Sequence, residues 1–274
     1  MPTTVITGAT SGIGLEVARE LAKRNHNLVL VSRDTDKLKS TKRILDKENK
    51  INCDIYKHDL SLIQENITLY KILSEKYSNI DYLINNVGAI FMKRHVTSEG
   101  LEKTFSLNHM SYFVLSKLFS QQNKTLKIIN VSSEAHRNTK LDYEDLQNEE
   151  KYNGWYAYKK SKLANIYLTY ELNKLLLEKS STVNCLHPGV VNTNFANDNA
   201  LPFKIMANII KYFGITPLEG ASTILYLVDN EDMKTASGLY FKKCIPVNSS
   251  TISYDVKCSR KLWDYSEKIL SKYI

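Results

Sequence analysis

The sequence predicts an α/β protein whose mostly parallel, doubly wound sheet is covered by helices on both faces. Short apolar runs rich in β-branched residues alternate with longer stretches of helical period, and a glycine-rich turn joins the first run to the first helix. No Pro/Gly/Ser-rich linker, composition break or fixed-period repeat interrupts this rhythm. The runs are TTVIT (3–7), NLVLVS (27–32), INCDIYK (51–57), DYLINN (81–86), LKIINVS (126–132), TVNCLHP (182–188) and GLYF (238–241). Helices are expected near 12–24, 34–48, 61–78, 98–120, 153–180 and 217–229. This order implies right-handed crossovers and a seven-stranded sheet in one domain over residues 1–274. Ligands of such sheets sit outside the carboxyl ends of the strands, where the strand order reverses. Each motif described below falls at one of those ends.

Composition narrows the class. Apolar residues make up 43% and charged residues 24% of the chain, enough apolar material for a large core beneath an ordinary polar surface. The formal charge is +8 and the pI near 9.1. The basic residues are scattered among 29 Asp and Glu, with no basic stripe interleaved with aromatics, so a nucleic-acid partner is not expected. A polyanionic small ligand is a milder source of the excess charge. Cys53, Cys185, Cys244 and Cys258 show neither CxxC pairing nor metal-ligand spacing, and read as buried thiols in a reducing compartment. The chain opens on MPTTVIT without a charged-then-apolar leader and has no apolar run of about 18 residues, so no membrane span is expected and a cytoplasmic location is.

The first run leads into Thr7-Gly8-Ala9-Thr10-Ser11-Gly12-Ile13-Gly14 and then a helix. Glycines here permit a tight turn, close approach of a pyrophosphate to the backbone, and close packing of helix on strand. The spacing is G-x3-G-x-G, not the G-x-G-x-x-G of the common dinucleotide fingerprint. The second run ends at Ser32-Arg33-Asp34. Ser32 occupies the position where a carboxylate would bind the ribose 2′-hydroxyl of NAD, and Arg33 follows, suited to the 2′-phosphate of NADP. Lys37 would add a second positive charge, and Asp34 suits a helix N-cap. The alternative for Arg33 is a solvated strand-end side chain.

A Tyr four residues before a Lys places both on one helix face, where the cation lowers the phenol's pKa from near 10. With 17 tyrosines in the chain, spacing alone does not choose among Tyr156/Lys160, Tyr158/Lys162 and Tyr170/Lys174.

Context does. Tyr158-Lys159-Lys160-Ser161-Lys162 resembles the Y-x-x-S-K signature of the short-chain dehydrogenase/reductase family. TGATSGIG (7–14) resembles that family's cofactor loop and NNVG (85–88) its N-N-A-G strand end. Asp59-Leu60, Asn108 within FSLNHM, NVSSEAHR (130–137) and HPGVVNT (187–193) follow in the family's order. VSSEAH, LANIYLTYEL (163–172), HPGVV, the 25-residue separation of Ser133 and Tyr158, and the tail LWDYSEKIL (262–270) resemble the retinol-dehydrogenase-like branch. Val87 departs from the Ala of the N-N-A-G pattern, where the contacts are mostly backbone.

The resemblance implies a Rossmann-type fold and an NADP(H)-dependent oxidoreductase transferring hydride between nicotinamide and a carbonyl or alcohol. In it Tyr158 would carry the proton, Lys162 would bind the nicotinamide ribose and lower the phenol's pKa, and Ser133 would hold the substrate oxygen. Asn108 would anchor a water linking Lys162 to solvent. Gly8, Ser11, Gly12, Ile13, Gly14, Arg33, Asp59, Asn86, Gly88, Val190 and Thr193 would line the cofactor, Asp59 at the adenine and Thr193 at the carboxamide. Each has a structural alternative: Ser132 and Ser133 could satisfy a strand end, Asn108 could bend or cap its helix, and Tyr158 could be an amphipathic core residue. His109, His136 and His187 read as structural.

FANDNALPFKIMANIIKYFG (195–214) is expected to close over the substrate, with Phe203, Ile205, Met206, Ile209, Ile210 and Phe213 forming an apolar face. That face suits a lipophilic small molecule (retinoid-, steroid- or aliphatic-aldehyde-like), or else a helix resting on a membrane surface. Vertebrate members of the retinol branch usually carry an apolar N-terminal anchor, and none is seen before Thr3. A reductase of small or xenobiotic carbonyls is the second reading, and a non-catalytic NADP(H)-binding regulator the third. Homodimers or homotetramers built on the helices near 98–120 and 153–180, and also monomers, fit the resemblance.

Overall fold

In the computed structural model, which describes residues 1–123, 125–191 and 214–274, the predicted alternation becomes a single sheet. Its elements are β1 (Thr3–Thr7), α1 (Gly12–Lys23), β2 (Asn27–Ser32), α2 (Thr35–Glu48), β3 (Cys53–Lys57), α3 (Ile63–Lys76) and β4 (Tyr82–Asn85). There follow α4 (Lys103–Phe105), a π-helical turn (Ser106–Met110), α5 (Ser111–Gln122), β5 (Lys127–Val131), α6 (Gly154–Leu176) and β6 (Thr182–His187). The chain closes with α7 (Pro217–Asp229), β7 (Tyr240–Lys242), β8 (Ile245–Pro246) and α8 (Val256–Leu270). The strand order is β3-β2-β1-β4-β5-β6-β7-β8, parallel except for the last pair. The order reverses between β1 and β4, the position at which doubly wound sheets bind ligands.

Strand alternation builds two cores. Val5, Val29, Leu83, Ile128 and Val183 face one side of the sheet, in one cluster with residues of α3, α5, α6 and α8. Their sequence neighbours Ile6, Leu28, Leu30, Ile84 and Ile129 face the other side, with α1, α2 and α7. Both faces are therefore buried, which is why the strands read as continuous apolar runs.

The described residues hold eight strands where seven were expected. The extra one, β8, returns on β7 through Lys243 and Cys244, whose φ values are 52° and 62°. A turn with both central residues in the left-handed region normally announces itself through Asn or Gly. FKKCIP carries neither, and the two-residue strand leaves no periodicity. The same turn leaves Cys244 half-buried, and Cys258 in the first turn of α8 is half-buried too. Only Cys53 and Cys185 are the buried thiols expected of all four.

The helix expected near 98–120 begins only at Lys103, where the buried Glu102 carboxylate accepts from the N–H groups of Thr104 and Phe105, each at 2.8 Å. The π turn that follows adds a residue to the helix around Asn108. Helix α8 was quoted for its likeness and not predicted as an element. Leu262, Trp263, Ser266, Ile269 and Leu270 form its buried stripe, packed on α5 and α6 through a Phe113–Trp263 edge contact at 4.9 Å.

Candidate active site

The glycine loop is built for a ligand approaching its backbone. Gly8 (φ +69°) and Gly12 (φ +53°) lie in the left-handed region, and the Gly8 N–H donates to Val31 O at 2.9 Å. A Cβ on Gly14 would meet Gly8 O at 2.3 Å and Asn86 Nδ2 at 2.6 Å, so the first turn of α1 lies directly against the loop. Ser11 is the exposed N-cap of α1, makes no side-chain capping bond, and no acidic residue occupies the first turn. The helix start thus offers free N–H donors and the positive end of a dipole. These residues fit the pyrophosphate of a dinucleotide.

Thr7 and Asn86 sew the two strand ends together. Thr7 Oγ1 accepts from Asn86 N at 2.9 Å and Val87 N at 3.1 Å, while Asn86 Nδ2 donates to Thr7 O at 3.0 Å. Asn86 therefore holds the loop in shape. Sequence reasoning singled out Asn86 without Thr7, whose hydroxyl has no motif of its own.

At the end of β2, Ser32 Oγ and Thr10 Oγ1 share a hydrogen bond of 3.1 Å. Arg33 is exposed and makes no hydrogen bond or ion pair with the described residues. Asp34 caps α2 by accepting from Lys37 N at 3.0 Å, as expected, and its carboxylate also lies 3.6 Å from Lys37 Nζ. Lys37 is thus drawn to Asp34, leaving Arg33 as the uncommitted cation of this strand end. Asp59, after β3, spends one oxygen on Ser61 N at 3.0 Å and Ser61 Oγ at 2.7 Å. Val190 is 59% exposed, and its carbonyl accepts from Ile215 N at 2.9 Å. Next to it, a Cβ on Gly220 of α7 would meet Val191 at 2.7 Å and Ile13 at 3.1 Å, so Ile13 and this loop converge on α7. Thr193 and all of the expected lid except Gly214 lie outside the described residues.

Beyond the loop, α6 passes the end of β5. Lys162 is buried, and its Nζ donates to Val131 O at 2.9 Å. The ammonium lies 5.6 Å from the Tyr158 ring centroid and 5.7 Å from that of Tyr112, a fully buried residue with no motif to reveal it. Burial pushes the Lys162 pKa down to about 7. It pushes that of Tyr158 up to about 12, opposed by a hydrogen bond from the Ser133 side chain. Ser133 Oγ accepts from Ala135 N at 3.1 Å, so the hydroxyl is oriented by its own turn. Ser132 instead donates to Lys162 O at 2.8 Å and serves the scaffold.

Asn108 clasps the backbone of Ala89 in both directions, accepting from its N–H and donating to its carbonyl, each at 2.9 Å. Its second amide proton goes to Ser161 Oγ at 3.0 Å. A Cβ on Gly88 would stand 3.4 Å from Asn108 Oδ1 and 3.5 Å from Lys162 Nζ, which brings β4, the π turn and α6 to one point. The rival tyrosines are elsewhere engaged. Tyr156 is 38% exposed and donates to Lys140 O, while Tyr170 bonds Ser249 Oγ at 2.7 Å and stacks on Tyr254. Trp155, not anticipated, stacks on Tyr158 at 5.6 Å and stays 41% exposed.

His109 and His187 are buried, with pKa values pushed down to about 4 by that burial. No metal-binding cluster and no helix long and apolar enough to cross a membrane occurs among the described residues.

Comparison with known proteins agrees with this geometry. The short chain dehydrogenase family model matches residues 2–201. Retinol dehydrogenase 14 of Mus musculus is 32% identical, over 97% of this chain and 84% of that protein. Retinol dehydrogenase 12 of Homo sapiens is 33% identical over 97% and 85%, and the chloroplastic short-chain dehydrogenase TIC 32 A of Brassica napus 30% identical over 98% and 88%. A solved structure of an uncharacterised protein from Mycobacterium Paratuberculosis superposes with a TM-score of 0.81 at 27% identity, covering 99% of this chain and 94% of that one. On this evidence the chain belongs to the short-chain dehydrogenase family, with retinol-dehydrogenase-like relatives.

Proposed function

We propose that this chain is an NADP(H)-dependent oxidoreductase acting on a carbonyl or alcohol group of a lipophilic small molecule. The observation that carries the reading is the buried Tyr158 phenol, hydrogen-bonded with the Ser133 side chain and with the Lys162 ammonium 5.6 Å from its ring centroid. The cofactor, when bound, supplies or takes up the hydride. Tyr158 gives its hydroxyl proton to the substrate oxygen in reduction and takes it back in oxidation. Lys162 stabilises the phenolate by charge, and Ser133 holds the substrate oxygen against the phenol. Asn108 fixes Ala89 and Ser161 around the lysine.

The glycine loop, Ser11 and the start of α1 would hold the pyrophosphate, and Asn86 would keep that loop in shape. Gly88, Val190 and Ile13 would lie along the dinucleotide, with Asp59 toward the adenine. Arg33 would meet the 2′-phosphate, supported by its freedom from partners among the described residues, and this favours NADP over NAD. The lipophilic substrate class is supported by the retinol dehydrogenases among the relatives. The continuous sheet supports one domain over residues 1–274. Four free cysteines suit a reducing compartment such as the cytoplasm.

Tyr158→Phe is the direct test. Reduction of a panel of aldehydes and ketones, including retinal and steroids, should fall at least about a hundredfold in kcat, the range ascribed to one acid–base group. Near wild-type turnover would refute the mechanism.

A further inference from the structure

We infer that His136 is the positioning residue that orients Ser133, and that the segment around Ser250 is thereby part of the active site's support. The inference rests on the role proposed above for Ser133.

His136 is fully buried, in the short turn Glu134–His136 immediately after Ser133. Its two ring nitrogens have different partners. Nε2 lies 3.0 Å from Ser250 N, and a backbone N–H can only donate, so Nε2 carries the lone pair. The ring proton must then sit on Nδ1, which lies 2.6 Å from Ser133 O and donates to it. One tautomer of the neutral ring satisfies both contacts. Ser133 O also accepts from His136 N at 3.1 Å. With its carbonyl held twice and its Oγ occupied by Ala135 N, the freedom left to Ser133 is the direction of its hydroxyl proton, and its side chain is hydrogen-bonded with Tyr158.

The support continues outward. Ser250 belongs to a segment pinned on α6, with Tyr167 OH donating to Ile252 O at 2.9 Å and Tyr170 OH bonded to Ser249 Oγ at 2.7 Å. The His136 ring meets Tyr240 edge-on at 5.1 Å. The Tyr240 hydroxyl donates to Glu134 Oε1 at 2.8 Å, and Lys242 and Arg137 donate to Glu134 Oε2 at 3.0 and 3.2 Å. Arg137 also donates to Asn248 O at 2.9 Å. Both ends of the Ser133–Arg137 turn are thus tied to β7 and residues 248–250.

Protonating His136 would set a second ring N–H against the Ser250 N–H and release this tie. The charged and titratable groups facing the ring are Glu134, Arg137, His187 and Tyr240, with Lys242 behind Glu134. Burial outweighs the Glu134 carboxylate and keeps the ring neutral to below its ordinary value of 6.5. The acid limb of kcat should therefore lie below that pH.

His136→Asn and His136→Gln separate the two halves of the contact. Asn places a donor where Nδ1 is and loses the Nε2 acceptor, whereas Gln reaches the Nε2 position and loses the donor to Ser133. Expected in NADPH-driven reduction of decanal, retinal and the steroid ketones is a kcat loss of about tenfold or more for His136→Gln, the equivalent of one hydrogen bond. His136→Asn keeps the bond to Ser133 but loses the tie to Ser250, so its kcat should fall by less than that of His136→Gln, and its acid limb should vanish. Kd for NADPH, read independently by quenching of tryptophan fluorescence, should not move in either. Equal kcat values for the two variants, or an unchanged acid limb in His136→Asn, would overturn the inference. Ring-nitrogen NMR of the wild-type protein should show His136 neutral with its proton on Nδ1 at pH 7, and a proton on Nε2 would overturn it without any turnover. Should wild type turn over none of the carbonyls, the oxidoreductase reading fails, while the NMR result still decides the placement of His136.

Discussion

Lys162→Met should make the protein slower and more stable at once. The ammonium stands 5.6 Å from the Tyr158 ring centroid, and both groups are buried. Unit charges at that separation and an effective dielectric of about 20 interact by about 3 kcal/mol, or about two pH units at roughly 1.4 kcal/mol per unit. Protonated Lys162 therefore favours the phenolate of Tyr158, whose pKa burial pushes up to about 12, and the pair titrates as a unit. Without that charge, alcohol oxidation followed by NADPH absorbance should fall about a hundredfold near pH 6, below the Lys162 pKa of about 7, and its alkaline limb should move up. The stability sign is opposite. Burial lowers the Lys162 pKa from 10.5 to about 7, so the folded chain binds fewer protons than the unfolded one across that window. Stability rises as pH climbs from about 7 to 10.5, and the cost is fully present below 7. Its ceiling is about 5 kcal/mol, from which about 1–2 kcal/mol is lost because Val131 O loses its donor. The variant should gain about 2–4 kcal/mol at pH 7 in chemical denaturation without cofactor. An unmoved alkaline limb would refute the charge coupling, and a less stable variant would refute the cost of burying Lys162.

Three further outcomes follow from the packing. Arg33→Ala should raise KM for NADPH about ten- to a hundredfold while leaving that for NADH nearly unchanged, and equal effects on the two would refute the 2′-phosphate role. Gly14→Ala forces a Cβ to 2.3 Å from Gly8 O, a backbone atom that cannot step aside, so cofactor binding by equilibrium dialysis should be lost. Trp263→Ala should cost about 3–5 kcal/mol in urea unfolding, because it empties the contact with Phe113 that seats α8; a loss under about 1 kcal/mol would mean that α8 is not part of the cooperative unit.

Some of this protein is legible in its sequence because the information is local. The glycine turn, the two-sided apolar strands and the Asp34 cap need only neighbours along the chain, and their placement agrees with the structure to within a few residues. Tyr158 and Lys162 were singled out by resemblance: one helical turn fixes their relation, but it was the match of Ser161 and the upstream Ser133 to the family signature that chose this pair from two others.

Other features depend on contacts between residues far apart in sequence. Thr7 joins Asn86 across 79 positions, Tyr112 lies beneath Lys162, and His136 meets Ser250 across 114 positions. Thr7 and His136 lie inside quoted motifs, but nothing in those motifs names their partners, since a hydroxyl or an imidazole acquires its role only from what the fold lays against it. The β7–β8 turn escaped notice because ordinary residues were forced into the left-handed region, and the π turn because helical period does not register one inserted residue. The sequence by itself determined the alternation of strands and helices and the mostly parallel sheet, because backbone periodicity and turn chemistry act over a few residues, and its likeness to the family pointed to Tyr158 and Lys162. The tertiary structure alone decided the protonation balance of that pair and the bracing of Ser133, because burial and hydrogen-bond direction come into being only when β5, α6 and the C-terminal segment meet.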